Sequence, residues 1–188
     1  SRRFTLSAET FTSGQVIRLY PSTEISRSQL KSEQVRIRPA TSADSVDVLR
    51  WRNDQQAREQ SRTTELITQE VHNVWFESVV NDTDRYLFIA ELEDAGSFGQ
   101  VRFDPLDGET DVFEVSISIA TEFRGQDLAI PTLLQAEKQF TLSHSPRQLR
   151  AFIRLGNTLS QRIFTAAGYS IDSTVTDSGN WWFKDTDD

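Results

Sequence analysis

Cysteine and methionine are both missing from this 188-residue chain, and histidine occurs only as His72 and His144. Without cysteine there is no disulfide framework, no thiolate nucleophile and no thiolate-held metal. Two histidines far apart, with no helical metal spacing, argue against zinc, so no metal is expected. Lysine is scarce as well, confined to Lys31, Lys138 and Lys184. Arginine therefore supplies most of the positive charge, and its planar fork suits phosphate and carboxylate. An excess of positive charge is lacking: the formal net charge is −8 and the pI about 4.8, which speaks against a general nucleic-acid binder. No apolar run approaches the roughly 18 residues of a membrane helix, and no secretory signal pattern is read. The expectation is a cytoplasmic protein with neither membrane nor nucleic acid as partner. A start without methionine reads as processed, trimmed or excised from a longer chain.

What is present fits one globular domain: 37% hydrophobic and 26% charged residues in a chain long enough to bury a core. Residues 1–34 are rich in serine and threonine, with strand character only at Gln15–Tyr20. They read as an extension or linker ahead of a domain over 35–188. From Val35 the pattern becomes regular. Val35–Arg38 alternates like a strand ended by Pro39. Ser42 or Asp44 suits a cap for a helix bearing Val46, Leu49 and Trp51, and Thr68 suits a cap for a second with Val71, Val74, Trp75 and Val79. Strands are expected at Tyr86–Leu92, Gly99–Phe103 and Val112–Ile119, with links short enough for an antiparallel meander. A helix over about Leu128–Leu142 tolerates Pro131 in its first turn. Strand Leu149–Ile153, a helix from Thr158 to a C-terminal Gly168, and paired strands Tyr169–Val175 and Asn180–Phe183 complete the order β-α-α-β-β-β-α-β-α-β-β. That order means an α/β (α+β) fold, a mixed and largely antiparallel sheet flanked by helices.

Two stretches carry chemistry. Phe123-Arg124-Gly125-Gln126-Asp127-Leu128-Ala129 follows a strand and opens a helix, so its backbone N–H groups and the helix dipole suit a pyrophosphate. Asn157-Thr158-Leu159-Ser160 caps a helix running through Phe164 to Gly168. In the strand before the first stretch, Glu114, Ser116 and Ser118 share one face while Val115, Ile117 and Ile119 share the other. A polar row on a central strand suits the lining of a cleft.

In this order, about 30 residues apart, the two stretches resemble the acetyl-coenzyme A site of the GCN5-related N-acetyltransferases (GNAT family). In that family the first motif reads Arg or Gln, two variable positions, Gly, one variable position, then Gly or Ala. Arg124 and Ala129 match its ends and Gly125 a frequent extra glycine, while Asp127 stands where the middle glycine is expected. A carboxylate facing the pyrophosphate from about 5 Å would repel it by roughly 3 kcal/mol at an effective dielectric of ~20. The resemblance implies acetyl-CoA as donor, with Ile117, Ile119, Arg124, Gly125, Gln126, Asp127, Leu128, Ala129, Asn157, Ser160 and Phe164 at the cofactor. It makes Glu114 the candidate base; because Phe164 replaces the tyrosine that often protonates the leaving thiolate, that proton comes from water or from another hydroxyl such as Ser116 or Ser118, or the thiolate departs unaided.

A further series, Trp51-Arg52-Asn53, Arg58, then His72 with Trp75-Phe76, resembles a narrower set of GNAT enzymes that acetylate 4-amino sugars on nucleotide carriers, as in pseudaminic-acid-type pathways. Gly99–Asp104 resembles their third strand. The resemblance implies an acceptor site of Trp51, Arg52, Asn53, Arg58, His72, Trp75, Arg102 and Phe103, with Arg62 another phosphate candidate, arginines holding a diphosphate and aromatics covering rings. The expected function is direct acetyl transfer to a primary amine, preferably of a 4-amino sugar nucleotide. Two other readings stand beside it: a ribosomal-protein-type N-terminal acetyltransferase, and a degenerate GNAT domain that binds a ligand or partner without turnover. A homodimer is compatible with any of them.

Overall fold

The computed structural model describes residues 34–176 and 178–186; the strand expected at Gln15–Tyr20 and the extension before residue 34 lie outside them. Seven strands form one sheet: β1 (Val35–Pro39), β2 (Tyr86–Leu92), β3 (Gly96–Pro105), β4 (Val112–Ile119), β5 (Gln148–Arg154), β6 (Ser170–Val175) and β7 (Gly179–Asp185), in the spatial order β1-β2-β3-β4-β5-β7-β6. β1 to β4 are antiparallel neighbours, as the short links demand. Among the described residues only β4 and β5 run parallel, because α4 (Ala129–His144) carries the chain back between them.

Among the described residues there are four more α-helices, α1 (Ser45–Asn53), α2 (Gln55–Glu59), α3 (Gln69–Val80) and α5 (Thr158–Ala166), and two 3-10 turns. Thr68 caps α3 as expected, accepting from the Val71 N–H. Asp44, one of the two expected caps, stands at the N-cap position of α1, but its side chain makes no cap hydrogen bond. Thr41 caps a single 3-10 turn over Ser42–Asp44, and Asp44 is gripped by Arg38 at 2.7 Å through both guanidinium nitrogens. Burial raises the Asp44 carboxyl, but Arg38 and the Thr41 donors outweigh it and hold the group below its ordinary value. α2 is an addition to the expected order. Five residues are too few for periodicity to reveal; Asp54 starts the helix by accepting from the Ala57 N–H.

The two faces of the sheet are packed differently. On one, Phe88, Val101, Phe103 and Val115 meet Leu133, Ala136 and Phe140 of α4 and Phe164 of α5. Phe103 and Phe140 stack there with centroids 4.2 Å apart. On the other, Val48, Trp51, Phe76 and Val79 of α1 and α3 cover Leu87 and Ile89 of β2. Through α1 that cover also touches β3 and β4. The ladder between β4 and β5 is brief, three residue pairs from Val112↔Gln148 to Glu114↔Arg150. Beyond it both strands continue without pairing to each other, and a wedge opens in the middle of the sheet.

Candidate active site

The wedge explains the polar row of β4. Ser116 is exposed although it sits mid-strand in a central position, since neither β5 nor a helix covers it. Across the β3 ladder, Gln100, Arg102 and Asp104 oppose Ser118, Ser116 and Glu114. Paired residues share a face, so six polar side chains line one surface. Glu114 forms an ion pair with Arg62 at 3.0 Å. Burial pushes its carboxyl above the ordinary range, Arg62 and Arg102 pull it back, and neighbouring Asp104 adds to the rise. Asp104 itself receives Arg102 at 2.5 Å and Arg85 at 2.9 Å.

Arg62 belongs to the loop between α2 and α3, which crosses toward β5 and β7. The loop is held at several points. Asn53 binds both backbone groups of Ile67, Arg52 donates to the Thr63 carbonyl and hydroxyl, Arg58 donates to the Thr64 carbonyl, and Arg154 of β5 donates to the Ser61 carbonyl at 2.9 Å. The Arg62 guanidinium carbon lies 4.8 Å from the Phe152 ring and 5.0 Å from the Trp181 ring. Together with Arg154, Thr176 and Ser178, these residues bound an open pocket of about 410 Å³.

On the cofactor side, α4 begins at the C-terminal end of β4 with no side chain capping it. Gly125 has a φ of 71° and Asp127 a φ of 58°. The family's middle glycine thus falls on a left-handed backbone position, one that aspartate tolerates better than most residues with a side chain. An uncapped helix N-terminus beside unpaired strand edges fits coenzyme A: amide donors for the pyrophosphate, strand edge for the pantetheine arm.

Several expected site residues have other duties. Arg124 spends its guanidinium on protein partners, the Ile119 carbonyl at 2.9 Å, Gln56 at 2.9 Å and Asp54 at 2.8 Å, so it shapes the loop rather than offering a fork to phosphate. Gln126 donates to the Glu122 carbonyl, and the side chain of Leu128 is buried against Phe98. Ile117 and Ile119 pack toward the α4 side, and only their backbone faces the wedge. Asn157 caps α5 by accepting from the Ser160 N–H at 3.0 Å. Phe164 is buried edge-to-face on Tyr169, a core residue in place of the expected cofactor contact.

On the acceptor side most of the expected residues have structural duties. Trp51 and Phe103 are core residues, Phe103 because it alternates away from Arg102. His72 is buried too, tied to the Ser45 carbonyl at 2.8 Å; it fastens α3 to α1, and burial holds its pKa below the ordinary value. Asn53 and Arg58 are loop anchors. Arg52 also anchors the loop and is half-buried, burial lowering its pKa, whereas Trp75 and Arg102 lie beside the polar row with Arg102 5.3 Å from the Trp75 ring. Sequence reasoning missed Phe152, Arg154 and Trp181. Their signal is the register: Glu114↔Arg150 places alternate β5 residues on the polar face, and Phe152↔Trp181 adds β7.

Comparison with known proteins agrees with this geometry. Residues 34–170 match the family model of the acetyltransferase (GNAT) domain. No curated protein matches the chain significantly. Among solved structures, spermidine N-acetyltransferase from Vibrio cholerae in complex with CoA and spermine superposes with a TM-score of 0.74 at 12% identity, over 81% of this chain and 95% of that one. Ribosomal-protein-alanine N-acetyltransferase from Brucella melitensis gives 0.66 at 22% identity, over 80% and 99%. A Salmonella typhimurium protein with its cofactor acetyl-CoA gives 0.67 at 16% identity, over 82% and 95%. The chain belongs to the GNAT acetyltransferase family, an acyltransferase with acetyl-CoA as its acetyl donor.

Proposed function

We propose that the protein acetylates the primary amine of an anionic, ring-bearing small molecule, with a 4-amino sugar nucleotide as the preferred acceptor. The observation that carries this reading is the pocket beside Glu114, walled by Phe152 and Trp181 and flanked by Arg62 and Arg154. Guanidinium groups suit phosphate or carboxylate, and the two rings suit a base or sugar face. Arg52 and Arg102 on the same side add to the positive field. Such a surface disfavours a polycationic amine, whose charges it would repel.

Acetyl-CoA supplies an activated thioester carbonyl. Glu114 removes a proton from the acceptor ammonium, directly or through water, which leaves the nitrogen lone pair free to attack. The unpaired edge of β4 holds the pantetheine amides, and the N–H groups at the start of α4 receive the pyrophosphate. We assign protonation of the departing thiolate to Ser116, exposed in the wedge, or to Ser118 farther along the same face. Phe164, lacking a hydroxyl, has no part in that step.

An N-terminal peptide acceptor is the second reading, favoured by the openness of the pocket between the α2–α3 loop and β7. Coenzyme A release, followed with a 4-amino sugar nucleotide, the same sugar without its nucleotide, a ribosomal-protein N-terminal peptide and spermidine, separates the two. The proposal expects the nucleotide sugar to have the highest kcat/KM. Preference for the peptide or for spermidine overturns it.

A further inference from the structure

Arg62 meets two different surfaces at once. Its guanidinium pairs with the Glu114 carboxylate and also lies within 5.0 Å of the Phe152 and Trp181 ring centroids on β5 and β7. The backbone on which it rides is pinned beside it by the Arg154 bond to the Ser61 carbonyl. Its side chain is half exposed, at 51%, whereas that of Glu114 is 23% exposed. The arginine is thus free to turn on a fixed loop, with a pocket already built on its far side.

We propose that Arg62 is a latch on Glu114, closed in the free enzyme and drawn off the carboxylate by an anionic group of the acceptor entering the Phe152–Trp181 pocket. The inference rests on the reading of Glu114 as the base. The other charged groups facing Glu114 are Arg102 and Asp104 of β3 and Arg150 of β5. Arg102 is bound to Asp104 at 2.5 Å and Arg150 to Gln148 at 2.5 Å, so the partner free to exchange is Arg62. Paired with Arg62, the carboxylate is a weaker base than it would be alone. Relieved of that pairing in a desolvated site, it takes the ammonium proton more readily: an N–H bond breaks, an O–H bond forms, and the electron pair stays on nitrogen. Base strength is thereby coupled to recognition of an anion, and an ammonium acceptor that carries no anionic group finds the base still latched.

Carboxyl ¹³C NMR titration of Glu114 in the whole chain tests this without a known acceptor, using inorganic pyrophosphate and malonate as anion probes. The apparent pKa of Glu114 is expected to rise when saturating pyrophosphate is added to the wild type. In Arg62→Gln it is already raised and moves no further. Malonate acting like pyrophosphate extends the latch to carboxylates; malonate without effect restricts it to phosphates. The proposal is overturned if either probe shifts wild type and Arg62→Gln equally, or if Arg62→Gln leaves the titration where it was. Because Arg62 is exposed, the substitution leaves the fold intact, and an unchanged Tm verifies it. The reading of Glu114 as base fails separately: Glu114→Gln would then turn over at the wild-type rate whatever the titration shows.

Discussion

Glu114 has to be ionised to accept a proton and basic enough to want one. Burial raises its pKa, while Arg62 at 3.0 Å keeps the charged form accessible. Replacing it with glutamine keeps the shape and removes the basicity. A fall in kcat of roughly 10²–10⁴ is expected near neutrality, the usual contribution of a positioned base, with KM little changed. Stopped assays across pH measure it; an unaltered rate throughout would remove Glu114 from the mechanism. Asp127 poses the reverse question on the cofactor side. Its left-handed backbone suits glycine, and its carboxylate lies in the loop that must accept a pyrophosphate. Asp127→Gly is expected to tighten coenzyme A several-fold, since even 1 kcal/mol of relieved repulsion is about fivefold in Kd. Calorimetric titration decides it, and an unchanged Kd would mean that the carboxylate faces away.

At the scale of elements, Asn157, which the family resemblance sets at the cofactor, caps α5 as the sequence pattern also suggests. Asn157→Ala should therefore cost about 1 kcal/mol of stability, the usual loss for a missing N-cap, before any effect on coenzyme A. Urea unfolding gives the first quantity and calorimetry the second; a loss of binding with full stability would restore the cofactor role. Most elements were legible because periodicity and caps are local. Tyr86–Leu92 and Val112–Ile119 agree residue for residue, and Thr68 caps as expected. The short α2 was not legible, and neither was the Arg38–Asp44 clamp, which joins a strand to a turn through side chains alone.

At the scale of the molecule, one buried cluster ties three parts together. Glu137 of α4 accepts from Tyr169 at 2.8 Å and from Lys184 of β7 at 2.6 Å, and Lys184 also reaches the Ala167 carbonyl at the end of α5. Burial dominates at Glu137 and raises its pKa, with Lys184 and Tyr169 opposing. A carboxyl raised by folding binds more protons in the native than in the unfolded state. Its contribution to stability therefore falls as pH rises from the ordinary value of 4.5 through the folded value. Lys184→Met leaves the carboxylate without its counter-charge, at a cost of about 3–5 kcal/mol near neutrality. The deficit should shrink in mild acid, where Glu137 is protonated. Thermal melts of both proteins at several pH values check this; a deficit independent of pH would mean that lost packing, not charge, is responsible.

The sequence by itself determined the order of the longer elements, the antiparallel meander, the strand–loop–helix arrangement ahead of α4 and the polar face of β4, because each follows from spacing within one segment. It also contained enough of two motifs to point to the family. What only the tertiary structure decided is which side chains share a space. Trp51, His72, Phe103 and Phe164 have the chemistry of ligand contacts but are buried where faces of helix and sheet close on each other. Arg62, Phe152 and Trp181 lie on a loop and two distant strands, and converge beside Glu114 through the parallel β4–β5 register and the antiparallel β5–β7 register. Alternation assigns a residue to a face of its own strand, but pairing between strands far apart in the chain decides what that face meets.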